Sequence, residues 1–240
     1  MKCLILYVFC KQLLFASIIM NLHTGEFSSC IANNSNHMDK LVIHLLSLEE
    51  VRKHESFLLT YVFPQRKDKS LEYRFEENRY QSLGAGYLLK KHTKGEDTFS
   101  YNKYHKPEGE EEYFNIAHSY NYIAFIKADV PCGIDIEKIK EAKEKLIKYA
   151  FASQDQKLIK TNDDFFKYWT LKEAIGKAHG NGLIDESIQD VPAKEGRVQY
   201  KNKCYFTKAF KLDDYYLSIA LYFHHHISSV FYKFFNQGLK

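Results

Sequence analysis

The sequence lacks any Cys-x-x-Cys pair. Its five cysteines (Cys3, Cys10, Cys30, Cys132, Cys204) are odd in number and scattered, which argues against a disulfide framework or a cysteine-based zinc site and fits reduced thiols in the cytoplasm. It also lacks dense Lys/Arg clustering: 34 basic residues stand against 30 acidic ones, a formal charge of +4. That is far from the basic surface needed where duplex phosphate contacts dominate affinity, so no nucleic-acid partner is expected. A small polyanion or an acidic partner protein suits the charge better. Finally, no uninterrupted apolar run reaches the ~18 residues of a spanning helix. Lys11 and Gln12 break the only contender, LILYVFC before them and LLFASIIM after. Residues 1–37 are expected to lie outside the fold, as a start placed upstream of Met38 (less readily Met20) or as a disordered stretch. A cleaved signal or anchor and a genuine extension remain alternatives, and no membrane partner is expected.

What the 240 residues do hold is enough apolar and aromatic material (45% and 15%) for one large domain or two small ones with real cores. The most informative stretch is Phe165 to Leu183, FFKYWTLKEAIGKAHGNGL. Leu171, Ala174, Ile175 and Ala178 form a core-facing helical stripe. Phe165, Trp169, Glu173 and Lys177 follow one another at i+4, and a wholly solvated face would not carry the chain's only Trp. The simplest role for Glu173 and Lys177 is an intrahelical pair worth about 0.2–0.5 kcal/mol. Gly180 and Gly182 supply the stop.

Upstream, Leu41–Leu46 reads as a strand and Leu48–Leu59 as a helix with Ser47 as N-cap. A basic segment at Pro64 contains Arg66, Lys67 and Lys69. Arg79–Lys91 is helical, with Gly84, Ala85 and Gly86 permitting close approach of a neighbour or a ligand. Phe114–Ala117 and Tyr122–Lys127 read as strands joined by a turn at Tyr120-Asn121, with His118 displayed beside it.

Val130-Pro131-Cys132-Gly133 marks a junction between subdomains at 38–129 and 130–240. Ile134-Asp135-Ile136-Glu137 alternates with period two, so the isoleucines enter the core and the carboxylates of Asp135 and Glu137 point out together, their Cα atoms roughly 6.5 Å apart. Adjacent carboxylates repel unless a cation or proton lies between them, and hard oxygen ligation suits Mg²⁺. Glu141–Leu158 is a charged amphipathic helical region. Beyond Ile184 the chain reads as β, Val198–Phe210 then Tyr215–Tyr222. The run His224-His225-His226 cannot put all its rings on one side of a strand and reads as structural. Strand, helix and aromatic hairpin recur in both halves (SYNYIAFI, DYYLSIALYF), which predicts an α+β fold: a pseudo-dimer of two similar subdomains, each a small, mostly antiparallel sheet packed with helices.

GIDIE at Gly133–Glu137, followed about 30 residues later by WTLKEAIGKAHGNGL, resembles the paired signature of the Sfp-type 4′-phosphopantetheinyl transferases. FNIAHS is similar to that family's FNxSHS element, and HKP at His105–Pro107 to its GKP. The resemblance implies that Asp135, Glu137 and Glu173 hold Mg²⁺ (or Mn²⁺) against the pyrophosphate of coenzyme A. It implies that Lys177 lies near the leaving phosphate, Lys172 on the phosphate side, and Trp169 in the packing of their helix. It implies nucleotide roles for Arg66, Lys69, Ser82, Lys106 and His118, with Glu173 or a metal-bound water as the base. Ala117 stands where the family has serine, leaving only its backbone N–H for the 3′-phosphate; Gln81 replaces a common arginine and His105 a glycine. The partners implied are coenzyme A and an apo acyl or peptidyl carrier protein, for a monomeric cytoplasmic enzyme. A non-catalytic coenzyme A or carrier-protein binding module is the alternative.

Overall fold

The computed structural model describes residues 3–9, 40–95, 99–101, 107–109, 112–180 and 188–223. These fall into two compact units, the residues up to Asp129 and those from Val130 onward. In the first, β1 (Cys3–Phe9) and β2 (Lys40–Ser47) precede α1 (Leu48–Lys53), α2 (Glu55–Tyr61), α3 (Pro64–Glu72) and α4 (Glu76–His92). A small two-stranded pair follows, β3 (Phe99–Tyr101) with β4 (Pro107–Gly109), and then the hairpin β5 (Tyr113–Ser119) and β6 (Tyr122–Ala128). The sheet order is β1-β2-β6-β5, antiparallel throughout.

Local chemistry explains the breaks. Ser47 accepts a hydrogen bond from the Glu50 amide at 3.2 Å and starts α1. The single helix expected over Leu48–Leu59 is two, interrupted at His54. Pro64 sits in the first turn of α3, where its missing N–H costs nothing. At the hairpin tip Tyr120 adopts a φ of 45°, so the turn expected at Tyr120-Asn121 forms with one left-handed residue. The core of this unit joins Leu46, Val51, Leu58, Leu83, Leu88, Ile123 and Phe125.

In the second unit β7 (Cys132–Lys138) is followed by α5 (Glu144–Ala150), α6 (Ser153–Gln156) and α7 (Asn162–His179). A turn of 3₁₀ helix at Ile188–Asp190 leads to β8 (Gly196–Tyr200), β9 (Lys203–Leu212) and β10 (Tyr215–Phe223). The sheet order is β7-β10-β9-β8, again antiparallel. The strand expected over Val198–Phe210 is therefore two, folded back at Lys201, whose φ is 51°.

Each unit thus has a strand, a long helix and a C-terminal hairpin whose last strand pairs with the first: β2, α4 and β5-β6 in one, β7, α7 and β9-β10 in the other. The architecture is α+β with two antiparallel sheets. One difference from the sequence reading lies at the N-terminus. Cys3–Phe9, placed there outside the fold, pairs along the open edge of β2. Its backbone pairs the N–H and C=O groups that this edge of β2 would otherwise leave open. The remainder of 1–37 lies outside the described residues, as do Lys106, His105 and the His224–His226 run. Among the described residues, no helix is long and apolar enough to cross a membrane.

Candidate functional site

The long helix α7 is fixed at both ends by sequence. Thr161 and Asp164 form a capping box, the Thr161 Oγ1 accepting from the Asp164 amide at 3.1 Å and Asp164 Oδ2 accepting from the Thr161 amide at 2.9 Å. Gly180 ends it with a φ of 111°, a conformation glycine adopts freely. Leu171, Ala174, Ile175 and Ala178 are buried, as their spacing predicts. On the i+4 face, Phe165 is fully buried and stacks on Trp169, ring centroids 5.8 Å apart, within a cluster that includes Phe151 and Phe166. The aromatic half of that face is covered. Its charged half, Glu173 and Lys177, reaches β7.

The approach of α7 to β7 is set by Gly133. A Cβ there would collide with the Ala174 carbonyl oxygen and lie 2.6 Å from the Ala178 amide nitrogen. Because side chains alternate along a strand, Asp135 and Glu137 share the face that Gly133 presents to α7. Asp135 is consequently buried, with 5% exposure, where the alternation argument expected a solvent-facing carboxylate. Both faces of β7 are covered, since Ile134 and Ile136 are buried on the other side too.

Here the structure brings four of the expected residues together. Lys177 Nζ donates to Asp135 Oδ1 at 2.6 Å, and Glu173 and Glu137 lie close enough to act on both by charge. Burial pushes the Asp135 carboxyl up to about 7, with Lys177 opposing and Glu173 and Glu137 reinforcing the shift. Burial also raises Glu173, assisted by repulsion from Glu137 and opposed by Lys177. Burial works against the Lys177 ammonium, but Asp135, Glu173 and Glu137 outweigh it and hold its pKa above the ordinary lysine value. Two buried hydroxyls lie beside the set: Ser218 sits directly across the ladder from Asp135 and shares a 2.8 Å hydrogen bond with Thr170 of α7. This pair is missing from the sequence reading, although a lone serine in the apolar run YYLSIALYF signals it.

The donor chemistry suits a hard divalent cation, three carboxylates with no soft ligand. One atom bears directly on the fit: Asp135 Oδ2 is buried without a hydrogen-bond partner, an acceptor that a cation would satisfy. The side chains are not gathered around such an ion; among the described residues, no group of three His, Cys, Asp or Glu converges closely enough to hold one.

Lys172 goes elsewhere. It is fully buried, and its Nζ donates to the carbonyls of Ile188 at 3.0 Å, Gln189 at 3.3 Å and Val191. It also lies over the Phe151 ring at 5.0 Å. Burial lowers it to about 8, against the pull of Asp155 and Asp190. The phosphate-side role that resemblance implies does not fit this placement, because an ammonium committed to three carbonyls has no donor to spare. Adjacent residues of a helix point about 100° apart, so Glu173 can face Asp135 while Lys172 does not.

In the first unit, Arg66 is carried on α3 and its stem crosses Gly86 of α4, where a Cβ would lie 3.1 Å from Arg66 Cβ. Ser82, one turn earlier on α4, is buried and its hydroxyl has no hydrogen-bond partner. Lys69 and His118 are exposed and Ala117 is buried on β5. Gln81 donates to the carbonyl of Tyr120 at 3.1 Å, which ties α4 to the hairpin tip.

A fold of two antiparallel sheets packed with helices is compatible with that of the 4′-phosphopantetheinyl transferases. Residues 131–220 match the family model of the 4′-phosphopantetheinyl transferase superfamily. It is 28% identical over 154 residues to the 4′-phosphopantetheinyl transferase Sfp of Bacillus subtilis (strain 168), covering 58% of this chain and 67% of that protein. It is 28% identical to the transferase gsp of Aneurinibacillus migulanus (56% and 63%) and 25% identical to ffp of Bacillus subtilis (71% and 84%).

Proposed function

We propose that the protein transfers the 4′-phosphopantetheine group of coenzyme A to a serine of an apo acyl or peptidyl carrier protein, releasing 3′,5′-ADP. The observation that carries this reading is the meeting of Asp135, Glu173 and Lys177 across β7 and α7, inside the matched domain. In the reaction the serine Oγ bonds to the β-phosphorus of coenzyme A, and the bond from that phosphorus to the oxygen of the departing 3′,5′-ADP breaks. Glu173, its pKa raised by burial, is suited to take the serine proton near neutral pH. Lys177 supplies a positive charge where negative charge grows on the phosphates. Mg²⁺ or Mn²⁺, held by Asp135, Glu137 and Glu173, would neutralise the pyrophosphate. Arg66, Lys69, Ser82, His118 and the Ala117 backbone N–H of the first unit, together with Lys106, are the groups we assign to the nucleotide.

The shared topology of the two units supports a monomeric pseudo-dimer as part of this reading, and the formal charge of +4 suits an acidic carrier; a cytoplasmic location follows from the same substrates. Incubation of the purified chain with coenzyme A, Mg²⁺ and an apo-carrier should add the phosphopantetheinyl mass to the carrier. Binding of coenzyme A or carrier with no mass change would instead identify a non-catalytic binding module.

A further inference from the structure

We infer that Lys177 is the resident cation of the acidic site, holding Asp135 in place of a divalent ion, so that ion binding at Asp135 requires the lysine to let go. This rests on reading Asp135, Glu137 and Glu173 as the ion's ligands. Three facts carry it. Lys177 Nζ lies 2.6 Å from Asp135 Oδ1, so one oxygen of the carboxylate is already taken by a cation. The other oxygen, Oδ2, is buried and unpartnered in a side chain only 5% exposed, so the ammonium leaves the site's acceptor capacity unfilled. And Glu173 and Glu137 act by charge on the ammonium as Asp135 does, while among the described residues no three His, Cys, Asp or Glu converge on a point.

A divalent ion on Oδ2 would face the ammonium across a single carboxyl group, where charges are weakly screened and like charges repel strongly. The two cations therefore compete for Asp135. Lysine is suited to yielding, since its charge rides on a flexible four-carbon stem. It stands in the last turn of α7, where the helix C-terminus favours a cation in either position. The arrangement keeps the acidic residues together without an ion and frees a positive charge when one arrives.

The test uses the full chain without coenzyme A, with free Mn²⁺ followed by electron paramagnetic resonance. Lys177→Met is expected to bind Mn²⁺ tighter than wild type by about tenfold or more, and Asp135→Asn to abolish binding in both backgrounds. If Lys177→Met binds no tighter while Asp135→Asn still weakens binding, the lysine is not a competitor and only this inference falls. If Asp135→Asn has no effect, or neither wild type nor Lys177→Met binds Mn²⁺, the assignment of the ligands falls and takes this inference with it. Should Lys177→Met fail to fold, the Nζ resonance of Lys177 in the wild-type protein provides the same decision. It should shift saturably with Mg²⁺, and a resonance that stays fixed through a saturating titration overturns the competition.

Discussion

Gly133 and Ala174 meet backbone to backbone: a Cβ on Gly133 would run into the Ala174 carbonyl oxygen and sit 2.6 Å from the Ala178 amide. The contact sets how deeply α7 lies on β7, and hence whether Glu173 and Lys177 reach Asp135. Gly133→Ala must push the helix outward, because both obstructing atoms belong to the backbone and cannot rotate away. Overpacking of this kind costs about 3 kcal/mol or more. We expect a lower melting temperature and lost transfer together, and a variant that melts like wild type would show that α7 adjusts freely.

Glu173→Gln separates chemistry from architecture. The amide keeps the size of the side chain but cannot take the serine proton, and a general base contributes about 100-fold or more. Holo-carrier formation, measured by intact mass, should fall by that factor while the melting temperature stays near wild type. Transfer at an undiminished rate would remove Glu173 from the role of base.

Lys172→Met tests the difference between its two possible employments. Its ammonium serves the Ile188, Gln189 and Val191 carbonyls, and hydrogen bonds from a charged donor are worth about 1.5–3 kcal/mol each. The desolvation recovered on removing a buried charge offsets part of that loss. A net destabilisation of about 2–4 kcal/mol is expected, with the KM for coenzyme A unchanged in the folded protein. A raised KM with unchanged stability would restore the phosphate-side role.

Periodicity makes α7 legible in the sequence, because its buried stripe of Leu171, Ala174, Ile175 and Ala178 repeats at helical spacing and Gly180 marks its C-terminal end, whereas its start at the Thr161 capping box is seen only in the structure. The strand Cys132–Lys138 is legible for the same reason, from its alternation. What alternation leaves open is whether the second face of a strand is covered, and α7 covers the one that bears Asp135. Lys172 is illegible for a related reason: three carbonyls 16 to 19 residues away form its site, and no local pattern announces a backbone that curls around a side chain. The break at His54 and the fold-back at Lys201 come from single backbone conformations that propensity does not resolve. Gly86 is legible as a site of close approach, but only the structure shows that Arg66 is what approaches it.

A close pair of histidines in the first unit makes the fold sensitive to acid. His44 of β2 is fully buried, and His92 in the last turn of α4 lies against it with ring centroids 3.7 Å apart and Phe125 alongside both. Burial, then His92 and Lys91, lowers His44 to about 3. Burial, then Lys91 and Lys127, lowers His92 to about 4. Both folded values lie below the ordinary histidine value, so the unfolded chain binds protons first as pH falls. The pair's contribution to stability is therefore fully present above about pH 6.5 and drains away between there and about 3. The pair's share of the change by pH 4.5 should reach a few kcal/mol of lost stability, read in the urea midpoint. His92→Phe, which keeps a ring beside Phe125 and removes one titrating group, should flatten that profile. Asp135 and Glu173, raised by burial, take up protons in the folded state over part of the same range and offset some of the fall, so the pair is read from the difference between the two profiles. Coincident profiles for wild type and His92→Phe would mean that the pair takes up protons in the folded state as readily as in the unfolded chain.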